Sequence, residues 1–158
     1  MKLIFIRHGD AGAYTLPDSE RQLSALGQSQ AMATGQWLTQ FLQEDVATQL
    51  IASPYKRAQR TATLIGQALG KRELPDSCMA ITPEDDAKRG IQALVAMMDE
   101  EVLANDGVVV VVCHMNIIAK MVALLTDEPP QAFALAEARV LDGAPLLGEM
   151  SFVTSFAP

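Results

Sequence analysis

The chain contains only two histidines, and each directly follows a run of strand-forming residues. The apolar segment Leu3 to Ile6 leads into Arg7-His8-Gly9, and Val108 to Val112 leads through Cys113 into His114. In an open α/β sheet, residues just past the carboxyl ends of the strands line the crevice where ligands bind. The sequence therefore predicts that both imidazoles face one site, and the arginine beside the first indicates an anionic ligand.

A structural histidine and a metal ligand are the two other interpretations of these imidazoles. A lone histidine near a buried strand is commonly a hydrogen-bonded core residue, because histidine is often partly buried. Two histidines at matching strand ends weaken that interpretation. Two imidazoles alone are too few for a closed zinc site, and the chain has no Cys-x-x-Cys or His-x-x-x-His spacing. We therefore expect neither a metal nor another cofactor.

A third segment adds a cation at a strand end, since Ser53-Pro54-Tyr55-Lys56-Arg57-Ala58 follows a short apolar run. If the three strands are neighbours, Arg7, Arg57, His8 and His114 surround one cavity with donors suited to a tetrahedral oxyanion. Guanidinium groups make paired hydrogen bonds to phosphate, which favours arginine for this task. The cluster predicts a phosphate-binding site.

Phosphoryl transfer gives these residue types a chemical reason. The reaction needs an in-line nucleophile and compensation for charge on three equatorial oxygens. A neutral imidazole can be that nucleophile, and two nearby arginines disfavour its protonation. Gly9 would let the backbone approach the phosphoryl oxygens without an intervening side chain.

The elements that must position these residues alternate between strands and helices along the chain. Expected strands cover 2–6, 50–52 and 108–113, with a brief one near 79–81. Expected helices cover 24–42 with Ser24 as N-cap, 55–69, 87–103 and 117–125. The tail predicts strands at 133–141 and 146–156 around a turn at 142–145. This order predicts one domain over 1–158, a three-layer α/β/α sandwich with a mainly parallel central sheet and a C-terminal antiparallel hairpin at its edge.

Composition limits the partners and the compartment. A chain of 158 residues, 49% of them hydrophobic, suits one domain with an adequate core. The net charge of −7 argues against nucleic acid as a partner. With two cysteines and no apolar segment long enough for a signal peptide or a membrane span, we expect a cytoplasmic protein with no membrane partner. A monomer is expected because no surplus apolar stripe stands out.

Three motifs in this order resemble those of the histidine phosphatase superfamily, also called phosphoglycerate mutase-like. They are Arg7-His8-Gly9, then Ser53-Pro54 followed by Arg57-Ala58 and Thr61-Ala62, and finally His114 behind a valine-rich strand. The segment 18–24, Gly27 and the compact length make the chain similar to the small SixA-type phosphohistidine phosphatases within that superfamily.

The resemblance implies a hydrolase in which His8 is the nucleophile and forms a covalent phosphohistidine intermediate that water hydrolyses. It also implies that Arg7, Arg57 and His114 hold the phosphoryl group. The implied substrate is a phosphohistidine on the histidine phosphotransfer domain of a signalling protein. A phosphatase of small phosphomonoesters and a non-catalytic module that binds phosphorylated partners are the alternatives.

The proton for the leaving group has no assigned donor. Asp18, Glu84, Asp85 and Asp86 are candidates by position, and each is otherwise a solvated loop carboxylate. Arg21 either orients Asp18 or reaches the pocket rim, or it forms a surface ion pair. A phosphorylated imidazole can already carry a proton on its second nitrogen near neutral pH. A site without a strong acid would therefore favour phosphohistidine over alkyl phosphates.

Overall fold

The computed structural model describes residues 1–158 as six strands, five α-helices and one 3-10 turn. The strands are β1 (Lys2–Arg7), β2 (Thr48–Ala52), β3 (Asp76–Ser77), β4 (Val108–Cys113), β5 (Ala138–Gly143) and β6 (Met150–Phe156). The helices are α1 (Ala25–Phe41), α2 (Lys56–Ala68), α3 (Ala87–Met97), α4 (Glu100–Ala104) and α5 (Ile117–Thr126), and the 3-10 turn covers Asp18–Glu20. None of the helices is both long and apolar enough to cross a bilayer.

All six strands form one sheet in the order β3-β2-β4-β1-β5-β6. Strands β3, β2, β4 and β1 run parallel, and β5 and β6 add an antiparallel pair beside β1. The register places Arg7 beside Cys113 and Ala52 beside Val112. The chain therefore leaves β1, β4 and β2 at the same edge of the sheet, as the sequence predicts.

Helices cover both faces of this sheet, because side chains alternate along each strand. Ile4 and Ile6 of β1 pack in a core with residues of α1 and α2, whereas Leu3 and Phe5 pack with residues of α3, α4 and α5. The continuous apolar sequence of β1 fits a strand that is buried on both faces. The three-layer α/β/α sandwich with a mainly parallel sheet and an antiparallel edge is confirmed.

The predicted helix over 87–103 is wrong, since the structure divides it into α3 and α4. Met98 and Asp99 are extended, with ψ of 131° and 138°. The buried side chain of Gln49 stabilises the break between the two helices. Its Nε2 donates to Met97 O at 2.8 Å, and its Oε1 accepts from Asp99 N at 2.9 Å. A side chain from β2 thus takes backbone groups that a continuous helix would pair.

Other predicted strand boundaries are also corrected. The strand near 79–81 lies instead at Asp76–Ser77, after which the chain turns and buries Ile81 in the core. The last two strands begin later than predicted, at Ala138 and Met150. Since β5 ends at Gly143, the hairpin connection covers 144–149 and is longer than the predicted turn at 142–145.

Residues 133–136 stay outside the sheet because they pack on the end of β1. Phe133 O accepts from Arg7 Nη1 at 2.9 Å, and Ala136 N donates to His8 O at 3.2 Å. On the helix side, Thr34 Oγ1 donates to Ala136 O at 2.7 Å. This segment therefore helps to hold the residues that follow β1.

Candidate active site

His8 lies directly after β1 and is buried, and two hydrogen bonds determine its tautomer. Its Nδ1 is 2.7 Å from Gly9 O, and a carbonyl only accepts, so Nδ1 carries the proton. Its Nε2 is 3.3 Å from Arg57 Nε, and a guanidinium only donates, so Nε2 carries the lone pair. Both contacts select the same neutral form, with the proton on Nδ1 and the lone pair on Nε2.

The environment of His8 also disfavours protonation. Burial is the largest influence, and the positive charges of Arg57, Arg7 and Arg21 add to it. The hydrogen bond to Gly9 acts in the opposite direction, and the net result lowers the pKa of His8 to about 4. The imidazole is therefore neutral at pH 7.

His114 follows β4 and is buried opposite His8, with 5.2 Å between the ring centroids. Its Nε2 is 2.8 Å from Ser53 Oγ, and its Nδ1 is buried without a protein partner. Burial, followed by the neighbouring His8 and Arg57, lowers its pKa to about 2. The structure thus brings the two histidines together, as predicted.

Arg7 and Arg57 both belong to this cluster. Arg7 Nη1 donates to Phe133 O at 2.9 Å, while its Nε is buried and unpartnered. Arg57 is at the start of α2, and its guanidinium spans from His8 to Asp18. The positive charges of both arginines disfavour protonation of both histidines.

Asp18 is held between two arginines. Its Oδ1 accepts from Arg21 Nη1 at 3.1 Å and its Oδ2 accepts from Arg57 Nη2 at 3.1 Å, while its backbone O accepts from Arg57 Nη1 at 2.8 Å. Partial burial acts to raise the pKa of Asp18, but hydrogen bonds from Arg21 and Arg57 outweigh it and hold the pKa below its usual value. Asp18 is therefore an ionised carboxylate that orients Arg57.

The other candidate acids make local backbone contacts. Asp86 is the N-cap of α3 and accepts from Arg89 N at 3.0 Å, and Asp85 accepts from both Thr82 N and Thr82 Oγ1. Glu84 is exposed. No hydrogen bond joins these carboxylates to either histidine, so their role as acids stays a prediction from position alone.

The structure gives a reason for glycine at position 9 that differs from the predicted approach of the backbone to phosphate. A Cβ built at this position would lie 2.5 Å from Gly27 O, because the first turn of α1 packs directly on it. Its N–H is already donated to Thr61 Oγ1 at 3.1 Å. Contact between Gly9 and phosphate stays a prediction, while close packing explains the absence of a side chain.

Sequence reasoning missed the supporting contacts of Ser53 and Thr61, although both residues belong to the quoted motifs. Ser53 binds His114 from 61 residues away, and Thr61 links Arg57 O to Gly9 N. Their positions, directly after β2 and one helical turn beyond Arg57, are the signal that could have found them. No group of three or more histidine, cysteine or carboxylate side chains is arranged to hold a metal ion.

Comparison with known proteins gives concordant matches. The profile of the Histidine phosphatase superfamily (branch 1) matches residues 3–79. A phosphohistidine phosphatase SixA homolog from Haemophilus influenzae is 34% identical over 133 residues, which cover 79% of this chain and 77% of that protein. Phosphohistidine phosphatase SixA of Escherichia coli is 28% identical over 84% of this chain and 80% of its own length. The solved structure of the protein histidine phosphatase SixA complexed with tungstate superposes with a TM-score of 0.84 at 25% identity, covering 100% of this chain and 97% of that chain.

Proposed function

Because the chain belongs to the histidine phosphatase superfamily, and within it to the SixA-type branch, it is a hydrolase, and we propose that its substrate is phosphohistidine on a protein. The observation that carries this proposal is the tautomer of His8. Its Nδ1–H donates a hydrogen bond to Gly9 O, and its Nε2 lone pair lies beside Arg57, on a ring opposite His114. A nucleophile is thus present without prior loss of a proton.

The proposed reaction has two displacement steps at phosphorus. In the first, His8 Nε2 forms a bond to phosphorus as the P–N bond of the substrate breaks, and the substrate imidazole leaves. In the second, water attacks the same phosphorus, the bond to His8 breaks, and inorganic phosphate is released. His8 keeps its proton on Nδ1, hydrogen-bonded to Gly9 O, throughout, so it leaves phosphorus as a neutral imidazole.

The phosphoryl oxygens need donors, and the cluster contains donors that lack acceptors. Arg7 Nε and His114 Nδ1 are both buried without a hydrogen-bond partner. Buried donors left unpaired are rare and costly, so an acceptor that reaches them is strongly favoured. We assign them to the oxygens of the phosphoryl group, together with Arg57 Nε, which loses its acceptor when His8 Nε2 bonds to phosphorus.

The leaving group decides between the two enzymatic alternatives. Asp18 is ionised and bonded to two arginines, so it is not a proton donor. When the second ring nitrogen of phosphohistidine is protonated, the leaving group is a neutral imidazole and needs no further proton. The leaving group of an alkyl phosphate is an alkoxide, which needs one. This difference supports phosphohistidine over small phosphomonoesters.

The surroundings of the pocket support a protein substrate. Tyr14 and Leu16 are 66% and 79% exposed on the loop that precedes Asp18. Arg21, which binds Asp18, also lies over the Tyr14 ring at 5.2 Å from its centroid. Two large exposed side chains close together in sequence beside a polar site fit a surface that contacts a macromolecule. We propose that this macromolecule is the histidine phosphotransfer domain of a signalling protein.

A substrate comparison tests the proposal. The enzyme is assayed with a radiolabelled phosphohistidine phosphotransfer domain and with glycerol phosphate, whose alkoxide needs a proton. General acid catalysis contributes on the order of 10² to 10⁴ in rate, so glycerol phosphate is expected to react more slowly by at least the lower factor. Comparable rates on the two substrates would overturn the assignment to phosphohistidine.

Matched variants test the site itself. Arg57→Ala is expected to abolish most phosphate release, while Arg60→Ala, an exposed arginine on the same helix, leaves it unchanged. A labelled phosphoenzyme is expected in the wild type and not in His8→Ala. If wild type gives neither label nor phosphate from a phosphohistidine protein, the chain is instead a phosphate-recognising binding module.

We further propose that residues 1–158 act as one domain, as a monomer in the cytoplasm and without a metal. Both cysteines are buried and unpaired, which fits a reducing compartment. Sedimentation velocity is expected to give one species near 17.0 kDa, and activity is expected to survive treatment with a chelator. A dimer mass or loss of activity on chelation would contradict the corresponding part of this proposal.

A further inference from the structure

The hydroxyl of Ser53 lies between two polar atoms in a fully buried position. Tyr55 N is 3.3 Å from Ser53 Oγ, and His114 Nε2 is 2.8 Å from it. A backbone N–H only donates, so Oγ accepts from Tyr55. The proton of the hydroxyl must therefore find its acceptor elsewhere.

His114 Nε2 is the only acceptor that Ser53 Oγ contacts. If Nε2 carried the ring proton, two N–H groups would point at Oγ and the hydroxyl proton would have no acceptor. An unpaired donor is costly in a buried site. Ser53 Oγ–H therefore donates to Nε2, and the single proton of the neutral ring resides on Nδ1.

Nδ1 of His114 is then a buried N–H with no protein acceptor, on a ring whose centroid is 5.2 Å from that of His8. We propose that Ser53 is a positioning residue that holds His114 in the Nδ1–H tautomer, so that this N–H donates to an oxygen of the phosphoryl group at His8. The inference rests on the proposed function of the site and deepens it. The Tyr55 ring, edge-on to His114 at 5.2 Å, adds a second restraint on the imidazole.

Nitrogen-15 NMR of the ring nitrogens tests the tautomer directly, because the chain has two histidines and His8→Ala leaves one for assignment. In the wild type, with and without tungstate, the His114 proton is expected on Nδ1. In Ser53→Ala the Nε2–H form is expected to become populated, whereas Ser77→Ala, an exposed serine of β3, leaves the spectrum unchanged. A wild-type His114 protonated at Nε2 would overturn the proposal.

Tungstate affinity provides a second measurement that does not need the Ser53→Ala variant, a substitution that can impair folding because Ser53 is buried. An asparagine amide stands near the position of Nδ1 of a histidine, and a glutamine amide near Nε2. His114→Asn is therefore expected to bind tungstate about 10-fold more tightly than His114→Gln, as one retained hydrogen bond predicts. Equal affinities, or tighter binding by His114→Gln, would contradict the inference.

These measurements separate this inference from the proposed function. If His114 is protonated at Nδ1 and tungstate binding follows the expected order, but phosphohistidine proteins are not hydrolysed, the positioning role stands and the phosphatase proposal fails. If phosphohistidine is hydrolysed while His114 is protonated at Nε2, the phosphatase proposal stands and the role of Ser53 fails.

Discussion

As the proposed nucleophile, His8 needs no general base, because its surroundings keep it neutral. Burial alone disfavours the imidazolium, and the charges of Arg57, Arg7 and Arg21 act in the same direction. In the proposed function the same arginines attract a phosphoryl dianion, so one set of cations both disfavours protonation of His8 and attracts the substrate. A carboxylate next to His8 would raise its pKa and favour the protonated form. The absence of such a carboxylate from the cluster fits a histidine that must stay neutral.

The pH dependence of the reaction follows from the low pKa of His8. The nucleophile is lost when His8 is protonated, so kcat/KM is expected to fall as pH decreases through about 4 and to show no loss between pH 7 and 5 from this group. An NMR titration of the His8 ring protons, run beside the rate measurement and corrected for uncatalysed hydrolysis, checks the assignment. A midpoint near the ordinary 6.5 in both measurements would contradict it.

Asp18→Asn separates an orienting carboxylate from a catalytic acid. Losing the charge weakens the hold on Arg57, and we expect activity to fall about 10-fold, the effect of roughly one charge-assisted hydrogen bond. The loss should be equal for p-nitrophenyl phosphate, whose leaving group needs no proton, and for glycerol phosphate. Glu20→Gln, at an exposed carboxylate two residues away that pairs with Lys56, is the control. A selective loss on glycerol phosphate would identify Asp18 as the acid.

Among the elements, the contact between α1 and the loop after β1 is the one that positions His8. Ser24 caps α1 by accepting from Gly27 N at 3.0 Å, and its own N–H donates to Asp10 O at 2.9 Å. A Cβ on Gly27 would lie 2.0 Å from Asp10 O, and one on Gly9 would lie 2.5 Å from Gly27 O. Helix and loop thus meet backbone to backbone, which holds the segment after His8 against α1.

Gly27→Ala is expected to disturb this contact and the site together. The neighbouring atoms are backbone and cannot rotate away, so the substitution should reduce the free energy of unfolding by about 1–3 kcal/mol, the range for overpacking. Tungstate binding should weaken as well, because the loop carries His8. Ser29→Ala, on the exposed side of α1, should change neither quantity. Urea unfolding and a tungstate titration measure the two effects, and an unchanged Gly27→Ala would contradict the packing argument.

For the whole molecule, burying both histidines makes stability depend on pH. In the unfolded chain an imidazole binds a proton below about pH 6.5. In the folded chain the pKa of His8 is lowered to about 4 and that of His114 to about 2. The unfolded chain therefore binds more protons in this window, and stability falls as pH decreases below 6.5. Asp18 adds to the loss below its ordinary pKa, because its folded pKa is lowered.

Urea unfolding at pH 7 and pH 5 is expected to show this loss. At pH 5 each buried histidine should reduce the free energy of unfolding by about 2 kcal/mol relative to pH 7, at 1.36 kcal/mol for each pKa unit. His114→Asn removes one of the two groups, so its difference between the two pH values should be smaller by about 2 kcal/mol. An equal difference in wild type and variant would show that His114 does not resist protonation.

The sequence alone was enough to predict most of the elements and the residues that follow the strands. Its apolar runs and helical periodicities are local, and they placed β1, β2, β4 and most helices together with the histidines and arginines at the strand ends. The predicted boundaries of helices and strands were wrong where a residue distant in sequence changed the local structure. Gln49 interrupts the predicted helix over 87–103. Contacts with the end of β1 keep residues 133–136 out of β5.

The protonation states and hydrogen-bond partners of the site residues depend on contacts between segments that are far apart in the sequence. Asp18 was one of several possible acids until the structure placed it between Arg21 and Arg57, which made it an ionised orienting group. Likewise, the tautomer of His114 depends on Ser53, 61 residues earlier in the chain. Hydrogen bonds of this kind require atoms from separate segments to lie within about 3 Å, and no local pattern in the sequence encodes that distance.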